Sequence, residues 1–284
     1  MTTVLRRPLL SGLYRKLVMA KAVLKLFLFA RRYPYRGQDR MLRALGPDLG
    51  SMTMLPAVDA EIHGELAELG NRTPTVRKSP NYSSIYESVV DPTSRIRMFV
   101  IGSFYGDSVE MWQKFLHPDS LIVGIDVDAK LVKVADSQGI RVRIGGEQTI
   151  SSLSETAAEF GPFDVILDTG SHTSSHMVDC FRCLFVSALS DGGAYIVERV
   201  DCDYRKFYRD SPVSFIDLVR ALIDAMNSKF ITSGTSLRGS NPDNVLEVSV
   251  PTVTPTLGSI EIYESIVIVR RTTPDLTQTS FSHH

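Results

Sequence analysis

From residue 97 onward, short apolar runs alternate with stretches of helical period. RMFVIG leads into SVEMWQKFL, LIVGIDVD into AKLVKVADSQG, IRVRIG into ISSLSETAAEF, and FDVILD into SHMVDCFRCLFVSAL. GGAYIVERV closes the series. Runs this short, rich in Val and Ile and apolar on both faces, predict strands of a parallel sheet covered by helices and joined by right-handed crossovers. Beyond residue 212, SFIDLVRALIDAM predicts a further helix. Extended segments around VLEVSV and SIEIYESIVIVRR predict a final hairpin on the sheet.

The chain before residue 97 is less regular. Residues 13–30, LYRKLVMAKAVLKLFLFA, fit a helix with cations set among Leu, Val and Phe. Pro34, Gly37, Gly46, Pro47 and Gly50 punctuate residues 33–56, which read as a linker with short turns. Residues 57–69 fit a helix and 71–80 a loop. In YSSIYESVV (82–90), helical spacing sets Tyr82, Ile85, Tyr86 and Val89 on one side. The organisation expected is a basic helical arm and linker (1–56), one α/β domain (57–272) and a disordered tail (273–284). His283 and His284 in that tail carry no metal role.

Composition changes this picture little: 43% hydrophobic and 22% charged residues are globular values and exclude a mainly disordered or collagen-like chain. The most apolar stretch, Ala22–Ala30, is broken by Lys25 and falls well short of the ~20 residues of a membrane-spanning helix. It lacks the small-residue cleavage site of a secretory signal. Three cysteines, Cys180, Cys183 and Cys202, are too few for a disulfide scaffold and point to a reducing, cytoplasmic compartment. The net charge of −1 conceals an asymmetry. Residues 1–40 hold ten Lys/Arg against Asp39, so that segment is +9 and the remainder −10. Its apolar stripe either packs on the domain or on a second copy in a homo-oligomer, or lies on an anionic membrane surface through residues 13–32. Nucleic acid is not expected as a partner, because the remainder is acidic and shows no interleaved basic and aromatic residues.

In an open parallel sheet, ligands bind beyond the carboxyl ends of the strands. The first strand exits into Gly102-Ser103-Phe104-Tyr105-Gly106, with Ser108 at the start of the next helix. Glycines there let backbone approach a ligand, and a helix N-terminus offers free N–H groups. The second strand ends at Asp126, where an acid grips the two hydroxyls of a ribose or else caps the next helix. The third ends in Gly145-Gly146-Glu147-Gln148, whose carboxylate and amide suit an adenine edge. The fourth ends in Leu167-Asp168-Thr169-Gly170-Ser171-His172, which places a histidine base in the cleft with Asp168 to orient it. The fifth ends in Glu198-Arg199, with Asp201 and Asp203 beyond.

A zinc reading competes for part of this stretch. His172, His176, Cys180 and Cys183 share one face if all are helical, yet at ~1.5 Å rise per residue the outer two lie ~16 Å apart. One metal shell of ~2 Å radius cannot span that distance. Cys180 and Cys183 read instead as small core residues beside Phe181, Leu184 and Phe185, which leaves His172 and His176 as the pair able to share an ion.

Taken together, Tyr82–Glu87, GSFYGDSVEMW (102–112), Gly124–Asp126, Gly146–Gln148, GPFDVILDTGSH (161–172) with His176, and DGGAYIVE (191–198) resemble a known family. It is that of the class I S-adenosylmethionine-dependent sugar O-methyltransferases, which modify sugars of macrolide antibiotics and of mycobacterial glycolipids; a cephalosporin hydroxylase-like group is related. The resemblance covers roughly residues 78–270. It implies a Rossmann-like, doubly wound, mostly parallel seven-stranded sheet, S-adenosylmethionine as methyl donor, and often magnesium near the acceptor hydroxyls. Carried over by motif, Gly102, Ser103, Gly106 and Ser108 line the methionine end, Asp126 holds the ribose, Glu147 and Gln148 lie near adenine, and Asp168 borders the cofactor. His172 becomes the general base, and Tyr82, Tyr86, Glu198 and Arg199 face the acceptor, a sugar-bearing small molecule or glycolipid. The pattern departs from the family at its metal ligands: the second acid of Asp-Asp-Gly-Ser-His is Thr169, and an adjacent Glu-Asp pair is Glu198-Arg199. Two functions follow, an O-methyltransferase without bound magnesium in which Arg199 supplies the positive charge, and a non-catalytic relative that keeps the fold as a binding or assembly subunit.

Overall fold

The computed structural model describes residues 37–50, 82–102, 106–126, 141–144, 149–228, 230 and 249–273. The helices expected over 13–30, 57–69 and 129–139 lie outside these residues, as do the Ser103, Glu147 and Gln148 positions. In chain order the elements are α1 (Gly37–Leu49), α2 (Tyr82–Val89), β1 (Arg97–Gly102), α3 (Gly106–Phe115), β2 (Leu121–Asp126), β3 (Arg141–Ile144), α4 (Ile150–Phe160), β4 (Phe163–Thr169), α5 (Ser174–Leu184), β5 (Leu189–Glu198), α6 (Phe215–Met226), β6 (Leu257–Tyr263) and β7 (Ile266–Arg271). A short 3₁₀ turn, Val200–Tyr204, follows β5.

The seven strands form one sheet in the order β3-β2-β1-β4-β5-β7-β6. β1 runs parallel to both β2 and β4, β4 is parallel to β5, and the β6–β7 hairpin joins β5 antiparallel. The connection reverses direction between β1 and β4, which is where an open α/β sheet binds its ligand.

Period-two alternation sorts the core into two layers. Phe99 and Ile101 of β1 pack on one face with Leu153 of α4, Phe181 of α5 and Phe215 of α6. Met98 and Val100 pack on the other face with Tyr86 of α2 and Met111, Trp112 and Phe115 of α3. The helix starts are set by short polar side chains. Ser214 and Asp217 form a reciprocal capping box on α6, and the Thr149 hydroxyl accepts from the Ser152 N–H on α4.

Two expectations are corrected here. The linker read over 33–56 contains α1. Gly46 (φ 69°, ψ −176°) breaks that helix without ending it, so glycine and proline mark a kink and not a loop. The hairpin pairs Leu257–Tyr263 with Ile266–Arg271, nearly all of it within SIEIYESIVIVRR; of VLEVSV, residues 245–248 lie outside the described residues, and Ser249 and Val250 are not in a strand. Its turn at Glu264-Ser265 lacks the glycine or asparagine that normally announces one, and Ser265 takes the left-handed conformation itself (φ 63°). Among the described residues, no helix is long and apolar enough to cross a membrane.

Candidate active site

His172 occupies the turn between β4 and α5 in a left-handed conformation (φ 57°). The start of α5 is held firmly behind it. Ser174 N–H donates to the Tyr208 carbonyl (2.9 Å), Ser174 Oγ donates to buried Asp203 (2.5 Å), and Ser175 donates to Asp210 through N–H (2.9 Å) and Oγ (2.5 Å). Asp203 also accepts from the Ile216 N–H at the start of α6 (2.9 Å), so one buried carboxylate ties two helix N-termini together. This tethering fixes the histidine relative to the strand ends.

Burial lowers the His172 pKa below its ordinary value. The Glu198 charge raises it, Arg199 lowers it, and the Glu198 backbone lies in hydrogen-bonding reach of the ring. The Nδ1 atom is buried and has no hydrogen-bond partner among the described residues. The shift favours the neutral imidazole over the charged one.

Glu198 and Arg199 complete the wall. Arg199 is also left-handed (φ 56°), so two adjacent strand ends both hold residues in a costly backbone conformation, a feature that concentrates at functional sites. Glu198 is 6% exposed and accepts a short hydrogen bond from the Tyr86 hydroxyl, which is fully buried. Burial and that carboxylate push the Tyr86 phenol well above its ordinary range, so it stays a donor. Tyr82 donates weakly to the Ser265 carbonyl (3.4 Å), and burial pushes its pKa to about 12. Asp201 accepts from Ser265 Oγ (3.0 Å) and from Arg205 (2.7 Å), with Arg199 at 3.9 Å. The fold thus brings Tyr82, Tyr86, Glu198, Arg199 and His172 into one cluster across more than a hundred residues of sequence. A hydrogen bond to a buried charge contributes ~1.5–3 kcal/mol. Tyr86→Phe should lower stability by about that amount in urea unfolding, and a change within ~0.5 kcal/mol, typical of a surface site, would show that the contact is not made.

Asp168 does not join that cluster. Its carboxylate is 1% exposed, accepts from the Gly170 N–H (3.0 Å) and lies 3.5 Å from the Tyr195 hydroxyl. Burial pushes its pKa to about 7. The expectation that Asp168 orients His172 gives way: strand alternation turns Asp168 towards α5, and the charges acting on His172 are Glu198, Arg199 and Asp201. Gly102 and Asp126 end the neighbouring strands β1 and β2, and Gly106 and Ser108 lie in the first turn of α3.

Sequence reading missed Thr173, Arg205, Lys206, Phe207 and Tyr208, which line a cavity of about 500 Å³ directly after His172. Phe207 is 82% exposed there. The run YRKFY, aromatic and basic together, was the signal available, and it corrects the reading that the chain after residue 40 holds no such run.

The magnesium site that the resemblance implies does not fit these residues. Thr169 Oγ donates to the Ile101 carbonyl (3.1 Å), Glu198 is committed to Tyr86, and the next residue is a cation. The other nearby carboxylate, Asp201, is paired with Arg205 and Ser265, so two engaged carboxylates beside a guanidinium make a poor nest for a hard divalent ion.

The fold and the site together define a Rossmann-like class I methyltransferase architecture with a histidine at the β4 end. No protein-family model matches the chain. Demethylmacrocin O-methyltransferase of Streptomyces fradiae is 29% identical over 159 residues, which are 52% of this chain and 39% of that protein. The 8-demethyl-8-(2-methoxy-alpha-L-rhamnosyl)-tetracenomycin-C 3'-O-methyltransferase of Streptomyces olivaceus is 31% identical over 128 residues, 43% of this chain and 32% of that protein. Among solved structures, MycE methyltransferase from the mycinamycin biosynthetic pathway, in complex with Mg, SAH and mycinamycin VI, superposes with a TM-score of 0.59. The identity is 24%, covering 75% of this chain and 55% of that one. Over part of its length the chain is thus similar to named O-methyltransferases, and its fold is that of MycE methyltransferase. Its matches span well under half the length of these curated relatives.

Proposed function

We propose that this chain is an S-adenosylmethionine-dependent O-methyltransferase acting on a sugar hydroxyl of a glycosylated small molecule or glycolipid, without magnesium at the acceptor. The observation that carries this is His172: half-buried, with a pKa lowered by burial, set after the end of β4 beside the switch point and next in sequence to Thr173, which lines the cavity with Phe207. The cofactor, when bound, supplies an electrophilic methyl group. Gly102 lets the end of β1 pass close to β4, where any side chain would strike Thr169. Asp126, at the end of β2, is the residue proposed to hold the cofactor ribose, with Ser103 proposed at its methionine end and Glu147 and Gln148 near its adenine. The acceptor lies over Phe207 and Tyr208, whose faces suit the apolar side of a sugar or a planar aglycone. His172 takes the hydroxyl proton as the oxygen attacks, and the nearby Glu198 carboxylate stabilises the imidazolium that forms. Arg199 provides the cationic charge at the acceptor.

Calorimetry with S-adenosylmethionine and transfer of labelled methyl to a panel of rhamnosylated and macrolide glycosides test this reading. Binding and labelling of a sugar oxygen are expected. No cofactor affinity would overturn the enzyme and leave a non-catalytic binding subunit. Adding magnesium or manganese should leave turnover unchanged, and activity that appears only on adding the ion would overturn the metal-free acceptor site.

A further inference from the structure

Behind the site, on the α5 face of the sheet, lies a second group of chemistry-bearing side chains that the proposed reaction does not use. Asp168 at the end of β4 meets His176 and Cys180 of α5, and one ligand atom from each lies within 4.8 Å of the others. His176 and Cys180 are spaced i, i+4, which puts both on the helix face that packs against β4. Their Nε2 and Sγ atoms are 3.4 Å apart. A tetrahedral shell with bonds of ~2.0 Å to nitrogen and ~2.3 Å to sulfur sets those two atoms about 3.5 Å apart. The helix therefore already holds two ligands at the separation an ion requires, and the strand presents the third.

The charge balance agrees. Asp168 is 1% exposed and Cys180 0%, and buried carboxylate and thiol groups among Met177, Phe181 and Tyr195 are costly if ionised without compensation. A divalent cation with one carboxylate, one thiolate and a neutral imidazole is electrically neutral. Thiolate and imidazole donors select zinc over magnesium or calcium. Cys183, the other cysteine of α5, faces away: its sulfur lies 3.2 Å from Ser154 Oγ on α4.

We propose that Asp168, His176 and Cys180 form a zinc site that clamps the end of β4 to α5. The fourth ligand is water or the Tyr195 hydroxyl, which borders Asp168. Binding displaces water ligands from the hydrated ion, releases the Cys180 thiol proton and any proton held on Asp168 to solvent, and forms one Zn–S, one Zn–N and one Zn–O bond; no electron is transferred. The clamp spans the turn that carries His172, so its role is structural, and it stands independently of which reaction the chain performs.

The test is elemental analysis of the purified full chain, followed by removal of metal under reducing conditions and titration with Co²⁺. About one zinc per chain is expected, with a near-ultraviolet thiolate-to-cobalt absorption on titration and a higher melting temperature when zinc is restored. Cys180→Ser should lose the thiolate band, His176→Gln should lose stoichiometric zinc, and Cys183→Ser should retain both. Should the variants fail to fold, the metal content and cobalt spectrum of the wild-type chain decide alone. Absence of stoichiometric zinc together with absence of a thiolate band overturns the site, as does an unchanged band in Cys180→Ser. None of these readouts involves methyl transfer.

Discussion

His172→Ala should lose ~10²–10⁴-fold in turnover while binding S-adenosylmethionine nearly as the wild type does, because a positioned base contributes that factor to proton transfer. A sugar hydroxyl is a weak nucleophile at neutral pH, and His172, whose pKa burial lowers, immediately precedes Thr173 of the cavity wall. The α5 N-terminus is anchored by Asp203 and Asp210, so truncating the ring should leave the backbone in place. Turnover measured with labelled cofactor, beside calorimetry with S-adenosylhomocysteine, separates the two effects. A fully active His172→Ala would remove the base from the mechanism, and equal losses of activity and cofactor affinity would assign the residue to cofactor binding.

The pH profile follows from the direction of the shift. Burial lowers the His172 pKa below 6.5, so the active neutral form dominates from that value upward. The rate should be flat through neutrality and fall on an acid limb below pH 6.5. Stability runs the same way. Between the folded and unfolded pKa values the native state binds fewer protons than the unfolded chain, so the contribution of this group is lost as pH falls through the lowered value. An acid limb centred above 6.5 would mean the ring is held by its anionic neighbours and not by its burial.

How much of this was legible in the sequence differs by element. The strands from RMFVIG to GGAYIVERV announce themselves because buried parallel strands must be apolar on both faces. The β6–β7 hairpin was misplaced because Ser265 makes the turn without the usual glycine, and no propensity scale flags a serine with positive φ. His172 was readable from its place after a strand end. Its neighbours Tyr86 and Glu198 were named through the family resemblance and not through spacing: Asp168 is four residues away yet faces α5, whereas Glu198 and Tyr86 reach the cluster through the β4–β5 pairing and the packing of α2. Sequence proximity misled for the same reason at the zinc cluster. Four residues spaced along one helix cannot close on a single ion, but two of them joined by Asp168 from the adjacent strand can, and that third ligand is visible only in the fold.

Gly102→Ala should destabilise the protein and weaken cofactor binding together, from the same cause. Gly102 has φ +134°, a region closed to side chains, and a Cβ there would lie 2.5 Å from both the Thr169 carbonyl oxygen and its hydroxyl. Backbone strain of this kind costs ~1–3 kcal/mol, and overpacking adds a similar ~1–3 kcal/mol. The two residues are register partners at the C-terminal ends of β1 and β4, so relief requires these strands to separate at the switch point. If the turn leaving β1 cradles the cofactor, a displacement of ~1 Å there is worth about 10²-fold in productive positioning. S-adenosylhomocysteine affinity should then fall steeply even at temperatures where the variant remains folded. Shortening the partner does not cure the defect: Thr169→Ala removes the hydroxyl clash, but the carbonyl oxygen stays 2.5 Å away. The double variant should therefore regain only part of the stability and little of the affinity. A folded Gly102→Ala that binds the cofactor like the wild type would place the cofactor loop elsewhere in the sheet.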